Sequence, residues 1–520
     1  MRANEADKQR LNCIPVWLLP AMIVAGCTVG PEYTKPEVAV PAVFRAQITP
    51  AEAASFADLP WWSVFHDTVL QGLVTEALAS NYDLQIAVAR IEQARAKVEE
   101  VDSQSKPQVG YGATATGEKV VVPGKKSLDS VTYGSFAGLL SASWELDIWG
   151  RIRHQTESAQ ANLLGQQYVR HGIILTLVSD VAADYFQLLE LDRELAIANG
   201  SAEAYRKTLD LFTLRYGAGK DSRLPVERAR AAYQSSLADI HDLNRRIGQQ
   251  EDAISILLGA YPKAISRGHG LTDQSVAATP VGSTTALLRR RPDILEAEQG
   301  MIAANADIGA AVADFYPKIG LSTFLGGQGV GVGGLWGGFG IWNLAAALAG
   351  PIYSGGRLEA VYKERQAFWD ETVAQYRQTI VGAFRDTSDA LIAQQNLGPQ
   401  RVALEGQVGA LHHSVDLALL RYQAGRASYF EVLEAQQLLF PAEDLLAQVQ
   451  REQLIAVVNL YKALGGGWDQ REPTLAERTA STNIPPAPAQ QQVAAPNAAP
   501  GQPAAMGAPQ SHAAVAAGGK

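Results

Sequence analysis

The two halves of this chain carry the same landmarks at a constant spacing. A Gly-Arg pair, an Arg-Tyr-x-Ala-Gly run and a Leu-Gly pair each recur 206 residues later, at 150 and 356, at 215 and 421, and at 258 and 464. Upstream, Asp83 and Pro107 match Asp293 and Pro317 at a spacing of 210. One register held over more than a hundred residues is typical of duplication rather than coincidence. The sequence therefore predicts two similar halves, 62–265 and 283–470.

Each half begins with helical periodicity and then changes to strand periodicity. Apolar residues recur at steps of three, four and seven over 70–98 and again over 294–312, which predicts a helix that ends before Pro107 or Pro317. Alternation with a period of two follows and predicts two strands of about ten residues in each half. Strands of that length suit a membrane crossing. The strand segments are 109–116, 135–147, 319–325 and 342–348.

The segments after the strands are long and contain few helix breakers. No Pro occurs from 152 to 215, and its leucines and valines follow the spacing of a coiled-coil seam. A helix of that length would reach about 90 Å. Gly217, Gly219 and Pro225 then predict a turn, followed by a second helix over 226–258.

The second half repeats this pattern with helices over 358–422 and 430–464, joined by a turn at Gly425. Pro399 and Pro441 predict kinks in these helices. Each half therefore reads helix, strand, strand, helix, turn, helix.

The first 26 residues are typical of a secretory signal. Arg2, Lys8 and Arg10 precede an apolar run over 14–25 that is too short to span a bilayer comfortably. The sequence Val-Ala-Gly-Cys that ends at Cys27 resembles the lipobox of bacterial lipoproteins, in which the signal is removed and the Cys becomes the acylated N-terminus. An ordinary signal peptide with a chance Cys is the alternative.

These features predict a signal peptide over 1–26, lipidation of Cys27 and a lipidated N-terminal segment over 27–61. An Asp after the Cys would resemble an inner-membrane retention signal. Thr28 stands there instead and favours the outer membrane of a Gram-negative host.

Composition excludes several classes of protein. The formal charge is -9, with 44 Lys plus Arg and no dense cationic run, so we expect no nucleic acid partner. Cys13 and Cys27 are the only cysteines, which argues against a disulfide framework and against a thiolate metal site. No run of eighteen apolar residues follows Cys27, so we expect no transmembrane helix and assign any membrane-spanning part to β-strands. Pro, Ala, Gln and Gly dominate the end of the chain and predict a disordered tail over 471–520.

The strand count predicts an oligomer. Four strands cannot close, because bacterial barrels begin at about eight strands. Two chains would give a barrel too narrow for a water-filled lumen, whereas three would give twelve strands. We therefore expect a homotrimer.

Several motifs together resemble the TolC family of outer-membrane channels, in particular its lipoprotein branch serving resistance-nodulation-division efflux pumps. The resemblance covers about 27–468 and rests on the run Cys27-Thr28-Val29-Gly30-Pro31-Glu32-Tyr33, Trp61-Trp62, Asn81-Tyr82-Asp83-Leu84, the Trp-Glu-Leu-Asp-Ile-Trp-Gly-Arg run at 144–151 and the paired Arg-Tyr-x-Ala-Gly turns. It implies a trimer with a twelve-strand membrane β-barrel, a long periplasmic α-helical barrel and a small equatorial domain. The implied partners are a periplasmic adaptor, an inner-membrane proton-driven pump and outer-membrane lipid.

The same resemblance implies a gate at the periplasmic entrance. Glu431 and Glu434 fall where the family places a ring of aspartates, and Phe430 falls where the lipoprotein branch has an apolar constriction. Spacing alone leaves the alternative that both glutamates are simply solvated. The family's arginine is missing at Ala427, with Arg426 one place early. The hairpin-turn residues of the two halves are Arg215, Tyr216, Gly219, Arg421, Tyr422 and Gly425.

No motif indicates an enzyme or a cofactor. Gly329, Gly331 and Gly334 formally satisfy G-x-G-x-x-G, but no helix opens after them, and a loop between two strands is the better interpretation. His412 and His413 point to different helix faces, which argues against a metal site. The predicted function is passive export of small toxic compounds with energy from the pump. The alternatives are a protein-secretion duct and, more distantly, a lipid-anchored non-porous scaffold.

Overall fold

The structure, a computed structural model, describes residues 28–45, 64, 66–123, 128–274, 283–332 and 335–466. The predicted signal peptide, Cys27, the Trp61-Trp62 pair and the predicted tail lie outside the described residues. Long α-helices and one antiparallel sheet make up the described part.

The two halves contain the same elements in the same order. The first half comprises α1 Thr68–Ser80, α2 Tyr82–Ser103, β1 Gln108–Pro123, β2 Leu128–Leu146, α3 Arg151–Gly217 and α4 Arg223–Leu257. The second comprises α5 Thr284–Arg290, α6 Pro292–Ala313, β3 Lys318–Val332, β4 Leu335–Ala349, α7 Arg357–Gln423 and α8 Tyr429–Ala463, and a 3-10 turn at Leu271–Asp273 lies between the halves.

The lengths of the helices explain the two repeat spacings. Helices α3 and α7 each have 67 residues, α4 and α8 each have 35, and α2 and α6 each have 22. The strands differ, with 19 residues in β2 and 15 in β4. The change of the repeat spacing from 210 to 206 residues therefore falls in the strand region.

The prediction of one helix over 70–98 was wrong, because α1 and α2 divide this segment, whereas the predicted helix over 294–312 is the single helix α6, with α5 before it. Asn81 has an extended backbone between α1 and α2, and its side chain accepts a hydrogen bond from the Leu84 N–H at 3.1 Å, which caps α2. In the second half Arg291 is extended because it precedes Pro292, which disfavours a helical conformation for the residue before it.

The four strands form one sheet in the order β1-β2-β3-β4, and every neighbouring pair is antiparallel. They have 15 to 19 residues, longer than predicted, because the hairpins continue beyond the alternating segments. Gly329 and Gly331 pair with Phe136 and Gly134 inside β3, so the loop prediction was wrong for them. Gly334 lies outside the described residues.

Three prolines of the long hairpins lie within helices. Pro225 lies in the first turn of α4, where a missing N–H costs no helical hydrogen bond. Pro399 and Pro441 lie inside α7 and α8, which continue through them. At about 1.5 Å per residue, α3 and α7 extend about 100 Å.

The main core surrounds the middle of α3. Tyr185, Leu188 and Tyr461 are almost completely buried there, together with residues of α1, α5 and α8. An 18-residue window of α3 is long and apolar enough to cross a membrane by composition, contrary to the prediction, but 56% of it is buried inside the molecule. That burial is typical of a core helix.

Candidate functional site: the sheet face and the hairpin end

One face of the sheet carries a continuous row of large apolar side chains. Tyr111 of β1 pairs with Leu140 of β2, Leu140 with Leu325 of β3, and Leu325 with Trp342 of β4. These four side chains are between 58% and 90% exposed. Water would be a poor environment for such a row, whereas lipid suits it.

The segment 28–45 is bound to the junction between the sheet and the helices. The Val29 N–H donates to the Trp149 carbonyl at 3.2 Å, and Nε2 of His154 lies 3.0 Å from the Val29 carbonyl oxygen. Gly150 has φ +82, and a Cβ there would lie 2.7 Å from Cγ2 of Thr28. The residue that follows Cys27 is therefore held at the start of α3.

The two hairpin turns at the opposite end of the long helices share one backbone design. Gly219 has φ +69 and Gly425 has φ +68, a conformation that favours glycine. The N–H of the following residue reaches back to the carbonyl of Arg215 at 2.9 Å or of Arg421 at 2.8 Å. Each of the two helix ends therefore forms a Schellman motif, which explains why the Arg-Tyr-x-Ala-Gly run occurs twice.

The predicted entrance residues lie on the first turn and a half of α8. Phe430 is 57% exposed, Glu434 is exposed and Glu431 is half-buried. Nη1 of Arg421 lies 3.7 Å from Oε2 of Glu431, so one of the two predicted carboxylates already has a cation beside it. The sequence interpretation missed this ion pair because it considered Arg426 as the candidate arginine on the turn.

An aromatic cluster joins the two hairpins. The ring of Phe212 packs against Tyr429 at 4.4 Å and against Tyr422 at 6.2 Å between centroids. Arg215 lies over the Tyr422 ring at 5.7 Å and also pairs with Asp221. Burial, more than any neighbouring charge, raises the pKa of Tyr422. One sign of this cluster was present in the sequence, namely aromatic residues at both ends of the second turn.

The structure therefore brings Arg215 and Tyr422 of the two predicted turns together. Tyr216 is half-exposed near the same end, outside the Phe212 cluster. His412 contacts Glu443, with Nε2 3.1 Å from Oε1. In the described part of the chain, no group of three or more His, Cys, Asp or Glu side chains is arranged to hold a metal ion.

Comparisons with known proteins agree with this architecture. The family model described as outer membrane efflux protein matches residues 73–260 and 284–466. The cation efflux system protein CusC of Escherichia coli O6:H1 is 31% identical over 464 residues, covering 88% of this chain and 100% of CusC. The toluene efflux pump outer membrane protein TtgC of Pseudomonas putida is 33% identical over 457 residues, covering 86% of this chain and 94% of TtgC.

A solved structure agrees in fold. The open state of the Neisseria gonorrhoeae MtrE outer membrane channel has a TM-score of 0.74 at 28% identity, covering 85% of this chain and 98% of that one. The family match spans both repeats, and the predicted resemblance is confirmed. The chain belongs to the outer membrane efflux protein family and is the outer-membrane channel of an efflux system.

Proposed function

We propose that three copies of this chain form one channel, with twelve strands in the outer membrane and the long helices in the periplasm. The observation that supports this proposal most is the sheet itself. In the described part of the chain β1 pairs only with β2 and β4 only with β3, so both edges keep free backbone groups. Lipid offers such groups no hydrogen bonds, and pairing β4 with β1 of the next copy would satisfy them.

The apolar row of Tyr111, Leu140, Leu325 and Trp342 supports the same arrangement. It crosses all four strands at one level, and three copies would continue it as a belt around the barrel. A belt of this kind fits the apolar band of outer-membrane barrels.

The hairpin end would form the entrance. In a trimer, Phe430, Glu431 and Glu434 of three chains would face one axis and place six carboxylates around a narrow opening. Such rings attract cations. Arg421 would offset part of this charge through Glu431.

The N-terminal segment would anchor the channel in lipid. Cys27 directly precedes Thr28, which lies against Gly150 at the membrane end of α3. An acyl chain on Cys27 would therefore start at the level where the strands end. In this proposal 1–26 is the signal peptide, 27–61 the lipidated segment, 62–265 and 283–470 the two repeats, and 471–520 a disordered tail outside the channel.

The transport partners would be a periplasmic adaptor and a proton-driven pump in the inner membrane. The channel itself would be passive, and the pump would supply the energy. CusC is named for cation efflux and TtgC for toluene efflux, and we propose small toxic compounds of this range as substrates.

Native mass spectrometry and planar-bilayer recording of the purified, lipidated protein test the proposal. A trimer with a discrete single-channel conductance is expected, and a deletion strain should become sensitive to toxic compounds and recover with the wild-type gene. Monomers or dimers alone, or a trimer without conductance, would contradict it.

A further inference from the structure

A cavity of about 560 Å³ lies between α3, α4 and α8, above the hairpin end. Carboxylates from all three helices line it: Glu194 of α3, Asp239 and Asp242 of α4, and Asp444 of α8. The cavity therefore lies between helices of the first repeat and the last helix of the second.

Along α8 three polar residues face α3 at coiled-coil spacing. Arg451 contacts Glu190, with Nη1 2.9 Å from Oε2. Gln448 donates from Nε2 to Glu194 at 3.4 Å. Asp444 follows one turn nearer the entrance, at the next position of the same seam. Nearer the entrance, the aromatic pairs Phe440–Tyr205 and Tyr429–Phe212 also hold α8 to α3.

The surroundings of Asp444 are predominantly acidic. Glu190 and Glu194 face it from α3, Asp239 and Asp242 from α4, and Glu443 precedes it on α8. The nearby arginines are engaged elsewhere: Arg246 with Glu194, Arg451 with Glu190, and Arg245 with Asp242. His412 contacts Glu443. In the described part of the chain, no hydrogen bond or ion pair to Asp444 is found.

Burial, and then the charges of these glutamates and of Asp239, raise the pKa of Asp444 from 3.8 to about 6. A carboxyl group that binds its proton more tightly in one arrangement favours that arrangement when protonated. The packed arrangement is therefore favoured at acidic pH. Its advantage falls as the pH rises from 3.8 to about 6, and it is constant above that range because Asp444 is then ionised in both arrangements.

Pro441 makes α8 deformable at the same level. It lies three residues before Asp444 inside the helix and has no N–H for a helical hydrogen bond. The part of α8 beyond it carries Phe430, Glu431 and Glu434. A change in the protonation of Asp444 would therefore act on the segment of α8 that ends at the entrance.

We propose that Asp444, the acidic cavity and Pro441 form a proton-responsive hinge in α8. Protonation of Asp444 favours close packing of α8 against α3 and α4, and its ionisation loosens the part of α8 that leads to the hairpin turn.

Hydrogen–deuterium exchange of the assembled full-length protein tests the hinge without reference to transport. Wild type and Asp444→Asn are compared at each pH from about 4 to about 7.5, so that the intrinsic pH dependence of exchange cancels in the ratio. Peptides over 429–447 should exchange equally near pH 4. Above about pH 6 they should exchange several-fold faster in wild type, with an upper limit of about 100-fold set by the displacement of the pKa.

Two matched variants control for other groups. Asp242→Asn changes a carboxylate of the same cavity that is paired with Arg245. The ratio of its exchange rate to that of Asp444→Asn should depend on pH in the same way as the ratio for wild type. His412→Gln removes the neighbouring titratable imidazole, and the pH response should persist.

The hinge is refuted if wild type and Asp444→Asn exchange alike at every pH, if their ratio is independent of pH, or if Asp242→Asn has the same effect. Should Asp444→Asn fail to assemble, Asp239→Asn decides the question. Removing that neighbouring charge should lower the upper end of the pH range over which the exchange of peptides 429–447 changes. An unchanged range would overturn the proposal.

Discussion

Arg291 binds the C-terminal end of α8: its Nη1 donates to the carbonyl oxygen of Ala463 at 3.1 Å. The first half makes the same connection with another side chain, because Nδ2 of Asn81 donates to the carbonyl oxygen of Leu257 at 3.0 Å. Leu257 and Ala463 are the last residues of α4 and α8. The duplication has thus kept a contact whose donor residue differs between the halves.

Removing the Arg291 side chain should destabilise the second half markedly. Arg291→Ala leaves the Ala463 carbonyl without this donor and separates Asp293 and Asp386 from a cation that is 12% exposed. We expect a loss of about 2 kcal/mol or more, measured as thermal unfolding of the assembled protein. Arg385→Ala is the control, because Arg385 also pairs with Asp386 but is exposed, and it should cost much less stability than Arg291→Ala. Equal losses for the two variants would contradict the structural role of Arg291.

Two glycines with the same backbone conformation should respond differently to alanine. Gly259 has φ +66, and a Cβ there would clash with the carbonyl oxygen of Ser80. Gly219 has φ +69 with open space around it. Gly219→Ala should therefore cost only the left-handed backbone strain of about 1 kcal/mol, whereas Gly259→Ala should strongly impair assembly. Thermal unfolding and trimer yield measure both, and similar yields for the two variants would contradict the packing at Ser80.

Asp67 should contribute to acid stability. Burial disfavours its charge, but hydrogen bonds from Gln274, His269, Tyr185 and Leu70 outweigh this and lower its pKa below 3.8. Because the pKa is lowered, the contribution of Asp67 to the free energy of unfolding is complete above pH 3.8. It is lost as the pH falls through the folded-state pKa. Asp67→Asn should reduce stability at neutral pH by about 1–2 kcal/mol and flatten the acid limb of the unfolding curve below pH 4. An acid limb identical to wild type would refute this role.

The entrance charges should control ion selectivity. Glu434→Ala removes a carboxylate for which the described part of the chain shows no ion pair, and it should lower cation preference by about twofold or more at low salt, measured as reversal potential in planar bilayers. Glu431→Ala should have a smaller effect because Arg421 already offsets Glu431. Phe430→Ala should raise conductance by widening the constriction. If all three variants match wild type, these residues are solvated outside the entrance.

Cys27→Ser should abolish lipidation while leaving the segment from Thr28 to bind at Gly150. Mass spectrometry of the N-terminal peptide should find acylated Cys27 in the wild type and no lipid in the variant. An unmodified thiol, or cleavage at another residue, would contradict the anchor.

Features that depend on neighbours in sequence were predictable. The glycines at the hairpin turns are required where a helix ends in a left-handed residue, and that requirement is local. Alternation in β1 to β4 likewise reports which side of a strand is apolar. The break at Asn81 was missed because a capping residue does not interrupt the apolar periodicity on either side of it.

The sequence by itself determined the duplication, the long helices, the strand pairs and the positions of both turns, because periodicity and backbone requirements act over a few residues. Only the tertiary structure decided that Arg421 contacts Glu431, that Phe212 joins Tyr422 and Tyr429, and that Asp444 faces the acids of α3 and α4. These contacts depend on the register in which long helices pack side by side. A shift of one turn would replace every such partner without changing the local pattern.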